Sequence, residues 1–359
     1  MTFYIIFFSL MIFLCLFSNL GLKNRSNKSI AVYGIYHISV IYFAFTLFLI
    51  TALRYNVGTD YIAYQIYAKE NIIGIPFFLA LKKSEFFFVL FSKLSYSIFG
   101  NMQLLYVILA VFTYFFLIKG ILYYEKNLIL PATIFFISTC FFISLNTMRQ
   151  FCACSIFIYA TRFINKREFK KYVYCILLAF CWHTSSLIFI PCYFFSNIKI
   201  KKSFFVFIIG IFFLKKLLNI FISNFLSNIG INLNYYFLIQ EGASSKSFII
   251  ISFFILFYFY FFVKRDFSVI SNLFFNLSLI EFLISVFADG IPGSYRLVYL
   301  FYPCYIVICP YLLRKSKNKA LGKFFILTIL SMFAFYFYSQ QILGNANEVV
   351  PYQSILGKN

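Results

Sequence analysis

A chain of 359 residues that is 63% hydrophobic and only 11% charged is not an ordinary soluble domain, where roughly 25% of residues carry charge. Its high hydrophobicity also excludes a disordered segment. A net charge of +21 would point to nucleic acid in a soluble protein, but the 31 Lys and Arg residues fall mostly in short clusters between apolar runs.

Such clusters are what the positive-inside bias places in the cytoplasm, so no nucleic-acid partner is expected. The composition predicts an all-α polytopic integral membrane protein, a single transmembrane domain over residues 1–359. Its length accommodates about 10–12 helices, a broken hairpin included, at roughly 20 apolar residues per crossing.

The first apolar run, 3–20, lacks the basic leader and small-residue cleavage site of a signal peptide. Lys23, Arg25 and Lys28 follow it, which puts the amino terminus outside. Run 30–53 is the next span, with His37 expected as a packed, hydrogen-bonded core residue in its middle. An outer loop follows at 54–84. Segment 85–99, flanked by Glu85 and Gly100, is too short to cross and is expected to be re-entrant or interfacial. Runs 102–118, 128–145 and 150–163 continue the bundle.

Segment 172–196 is expected to form a broken hairpin turning near Trp182-His183-Thr184-Ser185. Neither arm could span alone, so the tip must sit inside protein, where irregular backbone is tolerated. Runs 203–221, 247–263, 267–288, 297–313 and 324–340 complete the bundle, with an outer loop at 222–246 and an outer tail at 341–359. This arrangement keeps the clusters Lys119 to Lys126, Arg162 to Lys171, Lys199 to Lys202, Lys264 with Arg265, and Arg314 to Lys323 on one side. Both termini then lie on the other side.

Few polar groups remain outside the basic loops. Nine cysteines and two histidines make no metal-binding pattern, so the cysteines read as small hydrophobes, and neither metal nor cofactor is expected. Arg54, Arg149 and Arg296 each end a span on the non-cytoplasmic side, against the positive-inside bias. A single such arginine is more often a snorkelling anchor. Three on different helices favour an anion site, because guanidinium groups grip phosphate oxygens in a bidentate fork.

Gly58 permits a tight turn that would return the Asp60 carboxylate towards Arg54, either as a loop-closing ion pair or beside a sugar-bearing anion. An imidazole at the hairpin tip, His183, can donate to phosphate or move a proton, and a structural hydrogen bond is the alternative. Glu281, inside run 267–288, is expected to face a polar partner such as Arg296. Tyr61, Tyr64 and Tyr295 suit either interfacial packing or stacking on sugars.

Arg54-Tyr55-Asn56-Val57-Gly58-Thr59-Asp60-Tyr61, then Met148-Arg149-Gln150 with Ala153, then Trp182-His183-Thr184-Ser185 ahead of Pro191, resemble the EpsG family of Wzy-type bacterial polysaccharide polymerases. Tyr295-Arg296 and Pro351-Tyr352 are similar to that family's looser later features, and the resemblance runs from about residue 30 to the end. Trp182 stands where the family usually has Phe or a similar aromatic.

The resemblance implies an inner-membrane glycosyltransferase of the C-type membrane architecture, its site facing the periplasm. Such enzymes move a growing glycan from undecaprenyl diphosphate to the sugar of the next lipid-linked repeat unit, for O-antigen or exopolysaccharide. The bilayer and the lipid-linked units are then its partners, with a chain-length regulator protein as a further candidate. Asp60, His183, Arg149 and Arg54 are the implied catalytic set. Arg296, Tyr61, Tyr64, Gln150, Tyr295, Gly58, Ser185 and Tyr352 are the implied substrate-binding set.

Two other readings share the substrate. A flippase or exporter of lipid-linked oligosaccharide should show internal symmetry and charge from both halves of the chain, whereas the polar residues here gather on one face. An O-antigen ligase usually carries one very large outer loop, longer than any found here.

Overall fold

The computed structural model describes residues 1–23, 30–199, 210, 214, 246–263, 268–289 and 295–357. Among them the chain is helical throughout, without strands; two isolated bridges, Arg54 with Ser354 and Val263 with Ser316, are its only β-type pairings. Six helices are long and apolar enough to cross a membrane, and a seventh forms if the bent pair Ile129–Ile137 and Cys140–Asn146 counts as one span. This is an all-α polytopic membrane protein. The run at 203–221 and the loop at 222–246 lie outside the described residues.

The chain divides into two compact units. The first comprises Met1–Tyr193, Tyr305–Tyr311 and Leu330–Asn359. It begins with α1 (Thr2–Lys23) and α2 (Ile30–Ala52), and the loop that follows carries α3 (Thr59–Ala68) and α4 (Phe77–Leu81). Next come α5 (Phe86–Phe99), α6 (Gln103–Tyr124), α7 (Ile129–Ile137), α8 (Cys140–Asn146), α9 (Met148–Asn165) and α10 (Phe169–Trp182). Helices α6 and α9 run closest at Gly120, where a Cβ would lie 2.9 Å from the Ile158 side chain and 3.0 Å from the Tyr159 nitrogen.

Two breaks interrupt the helices of this unit. Apolar run 128–145 bends by 59° between α7 and α8, where Thr139 takes a left-handed φ of 65°. At the end of α10 the backbone turns extended at His183 and continues as a 3-10 helix, Thr184–Phe189. The chain then doubles back, and the Tyr193 ring packs 4.8 Å from Phe169 at the start of α10. The Tyr172 hydroxyl donates to the Phe189 carbonyl inside this fold-back. Trp182, wholly buried, fills a cage of Phe87, Phe91 and Phe112 at 5.1, 5.5 and 5.4 Å. That cage pins the end of α10 to α5 and α6 and so determines where His183 stands.

His37 corrects an expectation. It is exposed on α2 rather than packed in the core, with its ring against Tyr36. The helix is apolar around its whole circumference, so nothing in its pattern distinguishes a buried face.

The second unit, Phe194–Cys304 with Leu312–Ile329, packs Lys246–Phe262 against Val269–Ala288. Buried Asn272 and Asn276 donate to the carbonyls of Ser196 and Ile198, at 3.2 and 3.0 Å. Glu281 is also buried and accepts from Ser285 one turn on, at 3.1 Å. Tyr295 and Arg296 belong to this unit.

Candidate active site

The loop after α2 is shaped by the carboxy-terminal tail. Tyr55, Gly58 and Thr59 donate their amides to the carbonyls of Gln353, Glu348 and Asn347, at 2.9, 3.2 and 3.2 Å. Gly58 has φ 95°, and a Cβ there would sit 3.1 Å from the Leu145 carbonyl oxygen, so only glycine lets the loop lie on that backbone. Asn146 closes the junction. Its Oδ1 accepts from the Thr59 hydroxyl at 2.6 Å and the Asp60 amide at 2.9 Å, and its Nδ2 donates to Asn347 at 3.1 Å. Asp60 therefore occupies the first turn of α3, at the positive end of the helix, where a carboxylate is stabilised.

Arg54 is placed differently from the expectation. It is wholly buried, with Tyr61 and Tyr106 rings 5.9 and 5.8 Å from its guanidinium carbon. Its Nη2 donates to the Met148 sulfur, while Nε and Nη1 have no protein partner. Among the described residues its guanidinium makes no ion pair, with Asp60 or any other acid. The turn at Gly58 carries Asp60 towards Asn146 instead of back to Arg54.

Arg149, in the first turn of α9, meets Glu85 from the start of α5 and His183 from the end of α10. One Glu85 oxygen pairs with Arg149 Nη1, and the Ser84 hydroxyl takes the same Arg149 nitrogen at 3.0 Å. The other Glu85 oxygen lies 3.3 Å from His183 Nδ1. Arg149 stacks over Phe88 and Tyr64 at 4.4 and 4.9 Å. The His183 side chain is 23% exposed although its Nδ1 is buried, so the opposite ring edge is the accessible one. Asp60 and Tyr64 share a face of α3 by their four-residue spacing.

Burial pushes the Glu85 carboxyl up, but the His183 contact and the Arg149 guanidinium outweigh it and hold the group down at about 2. A carboxyl held below its ordinary 4.5 contributes stability that is present above that value and lost as pH falls towards about 2. Melting of the purified protein in detergent is expected to drop steeply from about pH 5 to about pH 3, and less steeply in Glu85→Gln. Equal slopes would show that the cluster does not couple to folding.

The structure thus forms two groups on either side of adjacent Met148 and Arg149: Tyr64, Arg149 and His183 around Glu85, and Arg54 with Tyr61 against Tyr106. Asp60 stands at Asn146, one turn before Tyr64. Gln150 is buried within α9, and Ser185 is exposed in the 3-10 helix. Tyr352 is an anchor of the tail: its ring stacks on Phe3 at 4.2 Å and its hydroxyl donates to the Ile50 carbonyl at 2.9 Å. In the second unit, Tyr295 is half-buried with its ring 5.4 Å from Tyr299, and Arg296 is exposed.

Sequence reasoning treated Glu85 as the border of a short helix and missed its partners. A chain with only ten acidic residues carried the signal, since an acid beside an apolar helix in such a chain calls for a partner. Among the described residues no group of three or more His, Cys, Asp or Glu is arranged to hold a metal.

The model of the EpsG family matches residues 37–354, a range that includes every residue of both groups. The chain belongs to the EpsG family. No curated protein and no solved structure matches it. Membership in this family of Wzy-like polymerases points to a polysaccharide polymerase-type function, glycosyltransferase-like in its chemistry, in a multi-pass membrane protein.

Proposed function

We propose that the protein transfers a growing glycan from undecaprenyl diphosphate to the sugar of the next lipid-linked repeat unit. The reaction takes place on the outer face of the bacterial inner membrane, with both termini and the 54–84 loop on that side. One observation above the others supports this reading: Arg149 and His183 converge on Glu85, with Asp60 and Tyr64 along one face of the adjoining helix. A guanidinium, two candidate bases and aromatic rings are the groups this transfer needs.

The donor leaves as a diphosphate, and Arg149, together with Arg54, offsets the charge that grows on the bridging oxygen. His183 or Asp60 takes the proton of the acceptor hydroxyl. Tyr61 and Tyr64 offer ring faces to sugars, while Gln150 and Ser185 complete substrate contacts. Gly58 and Tyr352 act indirectly, by holding the loop and the tail. Binding two lipids side by side supplies proximity.

Arg149→Lys is expected to lower chain growth about 10²-fold, since an ammonium reproduces neither the bidentate fork nor the stacking on Phe88 and Tyr64. Full activity at normal abundance would make Arg149 an interfacial anchor. Deleting the gene and resolving the surface glycan on a gel tests the function itself. Glycan one repeat unit long is the expected result, loss of all surface glycan would point to an exporter, and an unchanged ladder would overturn the reading.

A further inference from the structure

Glu85 splits its two carboxylate oxygens between a base candidate and a cation from different helices. Oε2 holds Arg149 Nη1, with the Ser84 hydroxyl at 3.0 Å from both Oε2 and that nitrogen. Oε1 faces His183 Nδ1 at 3.3 Å, and Nδ1 has no closer polar partner. We propose that Glu85 is a positioning residue of the transfer, holding the His183 ring with Nδ1–H towards the carboxylate and Nε2 as the base, and keeping Arg149 in register with it. The proposal rests on the polymerase reading and names the group that makes His183 competent.

An imidazole is a base through one nitrogen only when the proton sits on the other, and a carboxylate at Nδ1 selects that tautomer. At 3.3 Å the two atoms do not yet form a hydrogen bond; catalytic hydrogen bonds are often long or poorly aligned until substrate binds and then tighten. The ring is held from behind because Trp182 is caged by Phe87, Phe91 and Phe112, two of which lie on the helix that Glu85 opens. Glu85 and two rings of the Trp182 cage are thus carried on one helix. Held at about 2, the carboxyl stays ionised throughout any physiological range.

In the step itself, the acceptor hydroxyl gives its proton to His183 Nε2 as its oxygen bonds to the anomeric carbon of the donor sugar. The bond from that carbon to the diphosphate oxygen breaks, and its electron pair leaves on the lipid diphosphate. Glu85 stabilises the imidazolium until the proton passes to the departing diphosphate or to water. Arg149, held by the other oxygen, stands where the negative charge accumulates.

The test uses full-length protein in detergent and, as probe, the lipid-linked oligosaccharide extracted from a strain lacking the gene. Glu85→Gln is expected to lower kcat about 10²-fold or more without raising KM, because the wrong tautomer slows the chemistry and leaves binding in place. In a His183→Ala background, read by its residual single-turnover rate, the same change should cost at least about 10-fold less than in wild type, the remainder being what Arg149 loses with its partner. A loss that is equally large in both backgrounds overturns the proposal, as does Glu85→Gln turnover within about 3-fold of wild type.

Should Glu85→Gln fail to accumulate, Glu85→Asp keeps the charge and shortens the reach. A fall in kcat at unchanged abundance then supports the positioning role, and unchanged kcat overturns it. If wild-type protein leaves the probe at one repeat unit, the polymerase reading itself fails. That outcome is distinct from every variant result.

Discussion

Arg54→Met is expected to accumulate in the membrane at wild-type abundance, to melt no lower in detergent, and to lose chain growth about 10²-fold or more. Arg54 is wholly buried, two of its guanidinium nitrogens have no protein partner, and its surroundings are tyrosine rings and a methionine sulfur. The effective penalty for burying an ion is several kcal/mol, and replacing a buried ion by an apolar side chain of similar volume is often neutral or stabilising. Cation–π contact with Tyr61 and Tyr106 is made at 5.9 and 5.8 Å, the outer edge of the roughly 6 Å range in which that attraction counts. The fold alone therefore has little reason to keep a guanidinium here. A guanidinium the fold does not need fits a charge that acts on the diphosphate. If Arg54→Met loses abundance and melting temperature together with activity, the guanidinium is instead a staple for the 54–59 loop.

The positions of the helices were legible because apolar runs and basic clusters are local signals. Two details were not, and both depend on residues far apart. Run 128–145 looks like one uninterrupted span, yet it bends by 59° where Thr139 adopts a left-handed φ, a conformation disfavoured for a β-branched residue. The tail reads as a polar outer segment, but its backbone pairs with residues 55–59 and Tyr352 packs on Phe3.

The candidate site shows the same division. Arg149, His183 and Asp60 stand out because polar side chains are scarce in this chain. The contacts that bring Arg149 and His183 together run through Glu85, 64 and 98 positions away, and no spacing rule reaches so far. Arg54 illustrates the opposite error. It lies next to Asp60 in the sequence, but the tail takes up the Gly58 turn and separates the two.

His183→Ala and Asp60→Asn are both expected to abolish chain growth while leaving the protein in the membrane, and the structure separates the reasons. His183 has one buried ring nitrogen facing Glu85 and an accessible opposite edge, the arrangement of a base backed by a carboxylate. Asp60 stands in the first turn of α3, its amide bonded to Asn146, and one turn before Tyr64, which contacts Arg149. A carboxylate at a helix N-terminus is stabilised as the anion, which makes it a poorer proton acceptor and a better partner for sugar hydroxyls. Asp60→Asn loses one acceptor oxygen and the charge that strengthens bonds to those hydroxyls, so its loss should appear in KM as well as kcat. His183→Ala removes the base and should appear in kcat with KM little changed. His183→Gln decides the assignment, because glutamine can hydrogen-bond Glu85 but cannot take a proton near neutral pH. Near-normal turnover in His183→Gln would make the histidine structural and pass the base role to Asp60, and with it the function of Glu85 would reduce to holding Arg149.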